Sequence, residues 1–444
     1  MRDEWKTETR VERSQFAVPP GNSFAGGIVH RIRRCRTSGR DPVRRIRVPS
    51  SLNLRAADTS RVRPHRSWTN SAASLPSPSK TIITDCSCVT DEMYQQDGED
   101  IFVIDGHVHL WDAREENITH EGGEQFIQCF YDYHTGFTPE EREWDLDEYR
   151  HYGKDRMAED LFGNAAADMA IFQPTYLTDF YDEGFNTIEQ NAELAEEYPE
   201  RFVLNGTFDP RDGEEGLRYL EEQKEKYDIE GVKVYTAEWR GESKGWRLDS
   251  DESFEFLEKC AELGIDKVHA HKGPTIRPLN RDAFDVADVD DAASSFPDID
   301  FVVEHVGLPR LDDFCWIAAQ EPNVYGGLAV AAPMAQNRPR KFGEIMGELL
   351  YWLGEDRIIF GSDYALWNPD WLVETVMNAE LTDAQKDEYG IELTTDVMKK
   401  IMGENVAELY DIDIEAKKEQ FRSDSVTEEF GLGDHYGTQD ATAD

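Results

Sequence analysis

No stretch of this 444-residue chain approaches 18 consecutive apolar side chains, so the sequence offers no helix able to span a bilayer. Cysteine is scarce. The six residues (Cys35, Cys86, Cys88, Cys129, Cys260, Cys315) include no Cys-x-x-Cys pair, which argues against a redox motif, a zinc ribbon or a disulfide framework. Cys129, Cys260 and Cys315 are isolated, and we expect them to be small buried hydrophobes in a reducing cytoplasm. No glycine-rich phosphate turn follows an apolar run, which disfavours a doubly wound nucleotide-binding sheet. An internal repeat is also absent.

Positive charge is in short supply too: 47 Lys+Arg face 91 Asp+Glu, for a net charge of −44. The deficit is uneven. Residues 1–92 carry 17 basic against 9 acidic side chains, with 15 Arg and only 2 Lys, and show no apolar period. We expect this head to be disordered. A nucleic-acid arm, a targeting peptide and an upstream mis-assigned start compete for it. The change of charge near Met93 favours the last. From residue 93 on, acids are spread through every segment, as in Glu214-Glu215 and Asp288 to Asp291. Such a surface repels nucleic acid and anionic membrane, and stays folded where salt screens its self-repulsion, a halophilic arrangement. The melting temperature should therefore rise between about 0.1 and 2 M potassium chloride; a flat response would contradict this.

What is present is a set of short apolar runs alternating with amphipathic helices. Strands are predicted over 102–110, 168–176, 202–208, 231–235, 267–271, 300–305, 324–330 and 357–363, with helices over 186–198, 213–227 and 253–263 among them. On the last helix, Phe254, Leu257, Cys260 and Ala261 are expected to share the buried face. Eight strands separated by helices predict an α/β fold, a (β/α)8 TIM barrel over residues 93–415, followed by an acidic tail over 416–444.

In such a barrel, functional side chains sit at the C-terminal ends of the strands. His107 and His109 end the first strand and, two residues apart, project from one face toward a common point. Lys233 lies on the fourth strand, His269 and His271 on the fifth, His305 at the end of the sixth and Asp363 at the end of the eighth. Five of the eleven histidines thus fall on one face, a pattern suited to a divalent ion with open positions for water. Alternation points both His269 and His271 inward, so either could be a ligand.

The ordered motifs Asp105-Gly106-His107-Val108-His109, His271-Lys272-Gly273, His305-Val306-Gly307-Leu308-Pro309 and Phe360-Gly361-Ser362-Asp363-Tyr364 resemble the amidohydrolase superfamily. The resemblance is to the amidohydrolase-related branch that includes aminocarboxymuconate-semialdehyde decarboxylase, and it covers roughly residues 101–410. It implies a distorted TIM barrel holding a divalent metal, Zn2+ first and Mn2+ or Fe2+ as alternatives, on His107, His109, His271 and Asp363. It also implies that His305 positions the attacking water and that Asp363 moves the proton. The pattern of the resemblance prefers His271 over His269, which would lie a layer deeper. Lys233 occupies the place of a metal-bridging carboxylated lysine in binuclear relatives; a plain lysine paired with a carboxylate is the simpler expectation.

The function so implied is metal-dependent hydrolysis of an ester, lactone or amide in a small-molecule substrate. The alternative is non-oxidative decarboxylation of an aromatic or unsaturated acid, for which Arg240, Arg277 and Arg310 are candidate carboxylate anchors, though solvated salt bridges suit them better. A catalytically silent barrel serving as a partner subunit is the other class. Trp111, Phe126, Phe130, Tyr131, Tyr133, Trp144, Tyr364 and Trp367 could wall the substrate site or pack the 111–162 insertion onto the barrel, with packing favoured. A homodimer is the assembly that the reading admits, with no nucleic acid or membrane for the barrel.

Overall fold

The computed structural model describes residues 93–164, 167–432 and 435–436. The expectation of a disordered head over 1–92, with Cys35, Cys86 and Cys88, lies outside the described residues. Eight parallel strands follow in order: β1 (Ile104–Val108), β2 (Met169–Phe172), β3 (Phe202–Leu204), β4 (Gly231–Val234), β5 (Lys267–His271), β6 (Asp300–Glu304), β7 (Val324–Gly327) and β8 (Ile358–Ile359). The first three pair as one sheet and the last five as another. Isolated parallel bridges join the two sheets at both edges, Gly206 with Val232 and Val108 with Tyr364. Hydrogen bonding thus runs around all eight strands, the TIM barrel predicted. The strands are buried nearly throughout, which is why they read as continuous apolar runs rather than alternating ones.

Helices cover the outside, among them α1 (Glu121–Phe137) in the long first connection, α2 (Ile188–Glu197), α3 (Gly213–Tyr227) and α4 (Asp251–Leu263). Thr187 and Gln190 form a capping box at the start of α2. Ser250 caps α4, and Gly264 ends it in the left-handed conformation. The buried face of α4 differs from the one predicted. It is Ser253, Phe256, Leu257 and Cys260, while Ala261 is exposed and Phe254 half-buried. The i, i+3, i+4, i+7 stripe is centred one position away because Phe256, rather than Phe254, stacks on Phe208 behind β3. Cys129, Cys260 and Cys315 are buried thiols, as expected.

Within the segment predicted as an acidic tail from residue 416, the described residues up to 432 are largely helical. Helices at Ile414–Phe421 and Ser425–Phe430 carry the chain back onto the N-terminal ends of β2 and β3. Arg201, which precedes β3 and is 1% exposed, grips Asp424 with Nε and Nη2 (2.6 and 3.0 Å) and donates to the Tyr436 hydroxyl (2.6 Å). The Phe421 ring lies under its guanidinium at 3.6 Å. A polar segment is held here by buried ion pairing, which leaves no apolar period for a sequence reading to find. Breaking a buried pair by removing one partner costs about 3–5 kcal/mol. Arg201→Met should lower stability to urea by about that amount yet leave metal content unchanged, because this is the face opposite the strand ends that carry the site.

Candidate metal centre

The C-terminal end of β1 delivers His107 and His109, and the turn after β8 delivers Asp363. Their ligand atoms all lie within 4.8 Å of one another, and all three side chains are buried. His107 Nε2 is 3.1 Å from His109 Nε2, and Asp363 Oδ1 is 3.2 Å from His109 Nε2 and 3.7 Å from His107 Nε2.

Outer hydrogen bonds fix which nitrogen of each ring is bare. His109 Nδ1 faces the Gln173 carbonyl at 2.6 Å and must donate to it, which leaves the Nε2 lone pair inward. His107 Nδ1 faces the Glu304 carboxylate at 2.8 Å, with the same consequence. Two lone pairs and a carboxylate oxygen therefore point at one another, an arrangement that repels itself unless a cation lies between. The donor set fits a divalent transition metal. Lys233 Nζ stands 3.2 Å from His107 Nε2 as the one cation lining the cavity among the described residues.

The electrostatics agree. Burial, against the pull of Glu304, pushes the His107 imidazole down to about 3, so it is neutral and ready to coordinate. Burial raises the Asp363 carboxyl, but the imidazoles of His107, His109 and His305 around it outweigh burial and hold the group well below the usual carboxylate range. Burial also lowers Lys233 to about 8, with Glu304 and Asp363 opposing.

His271 and His305 form a second pair. His305 Nδ1 donates to the Ala329 carbonyl (3.1 Å), so its Nε2 accepts from His271 Nδ1 (2.9 Å). His271 Nε2 is left bare, buried and without a partner among the described residues, and His271 lines the cavity above the triad. His271 stands outside the 4.8 Å group, so the structure brings three of the four expected ligands together directly. His305 does not line the cavity. It lies behind His271, its Nδ1 3.7 Å from Asp363 Oδ2. The sequence placed it against water; the geometry places it against two other side chains.

His269 sits a layer deeper, as expected. Its nitrogens are engaged by Glu304 (2.7 Å) and the Tyr410 hydroxyl (2.9 Å). Glu304 thus bridges His107 and His269, and sequence reasoning missed it. The signal was there: a glutamate ending the apolar strand Asp300–Glu304, in register with His271. Asp105 was missed as well. Its Oδ1 accepts from His107 N (3.2 Å) and Ser362 N (2.9 Å), tying the ligand-bearing ends of β1 and β8 together.

Backbone strain gathers here. His305 (φ 63°), Val306 (φ 46°) and Asp363 (φ 60°) are left-handed without being glycine. That twist is what turns His305 inward, although alternation assigns the inward face to Glu304. Gly361 packs so tightly that a Cβ would lie 2.8 Å from His107 Cβ. Gly361→Ala should displace His107 and cut activity on the order of 10²-fold, the effect of a misplacement of about 1 Å. A metal titration should show the accompanying loss of affinity.

Above the triad lies a cavity with about 20 Å³ of free space, lined by His109, Lys233, His271 and Asp363 below and by aromatic and aliphatic side chains around. Phe130, Tyr133 and Trp367 wall it, whereas Trp111, Phe126, Trp144 and Tyr364 pack the insertion, so both expected roles of the aromatics are filled by different residues. Tyr131 is half-buried and donates to the Trp144 carbonyl. The three arginines do not reach the cavity: Arg240 pairs with Asp212, Arg277 with Asp132, and Arg310 with Asp285 and Asp313. No helix among the described residues is long and apolar enough to cross a membrane.

A closed parallel barrel with two neutral imidazoles and a carboxylate converging at its C-terminal mouth defines a metal-binding (β/α)8 protein. Residues 104–412 match the family model described as amidohydrolase, and the chain belongs to the amidohydrolase family, as its motifs led us to expect. Among curated proteins, none matches the sequence. Among solved structures, a TIM-barrel protein from Bordetella bronchiseptica is 17% identical with a TM-score of 0.52, covering 70% of this chain and 99% of that one, which shows the shared fold. An amidohydrolase from Burkholderia multivorans is 15% identical (TM-score 0.47; 70% and 100% covered). The 5-carboxyvanillate decarboxylase of Novosphingobium aromaticivorans, solved with bound manganese, is 14% identical (TM-score 0.43; 72% and 100% covered).

Proposed function

We propose that this amidohydrolase-family protein is a metal-dependent carboxy-lyase that removes carbon dioxide, without oxidation, from a small planar unsaturated or aromatic acid. The observation that carries the reading is the cavity over the triad: closed, walled by aromatic rings, and holding one cation, Lys233, beside Asp363. Aromatic walls favour a flat unsaturated group, which has to displace them because the free space is about 20 Å³, and excluding water favours loss of a charged carboxylate and strengthens every electrostatic contact with it. His107, His109 and Asp363, with His271 as the fourth donor, would hold a borderline divalent ion, Zn2+ first and Mn2+ or Fe2+ as alternatives. When bound, the ion supplies Lewis acidity toward the substrate carboxylate and its neighbouring oxygen.

The chain's own residues do the rest. Lys233 faces the carboxylate as a counter-charge. As the carbon–carbon bond breaks, its electron pair stays on the ring carbon, and the Lys233 ammonium delivers the proton there, directly or by way of the Asp363 carboxylate. His305 acts through His271 and Asp363, holding the first in its tautomer and the second in place. A second reading, hydrolysis of a lactone, ester or amide, is favoured by one feature: the free space suits a single water, beside Asp363 and His271. A silent barrel has no physical need of three converging ligands. Cytosolic residence and salt-dependent folding belong to the same proposal.

A screen of metal-loaded protein against hydroxybenzoates and unsaturated dicarboxylates, with lactones and esters alongside, tests it. Carbon dioxide release supports the first reading, hydrolysis alone supports the second, and neither activity at full metal occupancy removes both.

A further inference from the structure

A second chamber adjoins the metal cavity. It is lined by Thr207, Asp209, Asp212, Glu238, Arg240 and Trp246, among others, and holds about 60 Å³ of free space. Thr175 and Tyr235 line both spaces, so they form the shared wall. The Tyr235 ring sits 4.4 Å from that of His271.

The polar groups of this chamber are incompletely used. Tyr235 is buried, and its hydroxyl has no hydrogen-bond partner among the described residues. Arg240 spends its terminal nitrogens on Asp212 (2.8 Å) and Asp209 (3.5 Å), while its buried Nε has no partner among the described residues. Glu238, 7% exposed, accepts from Thr178 N (3.1 Å) through Oε1. Burial, with Asp209 adding to it, pushes the Glu238 carboxyl up to about 7, so it can donate as well as accept near neutrality. Buried polar groups are nearly always satisfied, so orphans in a cavity wall mark where a water or a ligand group is held.

Charge narrows the ligand. Asp209 is matched by Arg211 and Asp212 by Arg240, leaving Glu238 without a cation of its own among the described residues. A carboxylate would meet three acidic groups, and an ammonium would meet two guanidinium groups. A neutral hydroxyl can accept from Arg240 Nε or Tyr235, the two groups without a partner among the described residues, and donate to Glu238. We propose that the metal cavity and this chamber form one bipartite substrate site, in which Tyr235, Glu238 and Arg240 bind a neutral hydroxyl on the end of the substrate remote from the metal. The inference rests on the proposed reading of the metal site, and it narrows the substrate class to hydroxylated planar acids.

The test measures binding rather than turnover. Full-length protein loaded with Mn2+ or Zn2+ is titrated calorimetrically with 3-(4-hydroxyphenyl)propanoate and with 3-phenylpropanoate, which differ only in the remote hydroxyl. The hydroxylated acid should bind about 10–100-fold tighter, the range for pairing buried polar groups otherwise left unsatisfied. Tyr235→Phe removes a hydroxyl with no partner among the described residues, so the variant should fold normally. Its preference should shrink by about tenfold. Glu238→Met should shrink the preference likewise, and Glu238→Gln, which keeps both hydrogen-bonding capacities, should retain it. Equal binding of the two acids, or a preference untouched by Tyr235→Phe and Glu238→Met, overturns the inference while leaving the metal site intact. Binding of neither acid to metal-loaded wild type overturns the metal-site reading together with it.

Discussion

Replacing His107 with alanine is expected to strip the protein of most of its metal. His107 Nε2 is one of three ligand atoms within 4.8 Å of each other, and its tautomer is held by Glu304. Loss of that lone pair leaves His109 and Asp363 with His271, which stands outside the tight group. Affinity should fall by more than the roughly 10–100-fold typical of groups that only support a ligand. His305→Ala makes the comparison sharp. His305 contacts His271 and Asp363 but does not line the cavity. Its loss should weaken metal by no more than about 10–100-fold, so that the site fills at saturating metal. Turnover at saturating metal should still fall by about 10–100-fold. Asp363→Asn should lie between, since an amide oxygen can coordinate but cannot carry the proton. Elemental analysis beside kcat at saturating metal separates the cases. Equal metal loss in the His107 and His305 variants would make His305 a ligand, and full activity of His305→Ala would remove it from the mechanism.

The second large effect is expected at Glu304. Its carboxylate oxygens lie 2.8 Å from His107 Nδ1 and 2.7 Å from His269 Nδ1, and the side chain is 1% exposed. Burial alone would raise this carboxyl, but His107 and His269 hold it well below the usual carboxylate range. Glu304→Gln keeps the shape but presents one acceptor and one donor to two donating rings, and it removes the negative charge that faces Lys233. Metal affinity should drop about 10–100-fold, and stability by about 1–3 kcal/mol, as when a buried donor loses its acceptor. The pH dependence gives an independent check. A carboxyl depressed in the folded state stabilises above its unfolded value of about 4.3, and that contribution is lost as pH falls toward the folded value. The gap in unfolding free energy between wild type and Glu304→Gln should therefore be full near neutrality and close on acidification below about pH 4. A gap constant with pH would mean that the residue acts by packing alone.

The barrel was legible because its strands are buried on both faces and write themselves as short apolar runs between amphipathic helices. β5 (Lys267–His271) and α3 (Gly213–Tyr227) fall where the pattern put them. Strand ends were overextended, as at 357–363 against the observed Ile358–Ile359, because the buried turn Phe360-Gly361-Ser362-Asp363 continues the apolar run without pairing as strand. The histidine spacing was legible for the same reason: two residues on one strand share a face, whatever the rest of the fold does.

Burial of a single charged residue leaves no period. Glu304 beneath His107, Arg201 clasping Asp424, and Asp105 tying β1 to β8 are each one polar letter in an apolar or acidic context, and their partners lie tens to hundreds of residues away. By itself the sequence determined the barrel, the positions of the imidazoles and carboxylate on its mouth, and the family, since these follow from local periodicity and from ordered motifs. Only the tertiary structure decided that His305 stands behind His271 rather than in the cavity, that the arginines turn away to aspartates, and that the segment up to Tyr436 is part of the body. Those outcomes depend on which lone pair meets which proton across the barrel, and hydrogen-bond geometry between distant residues is not written in the spacing of either one.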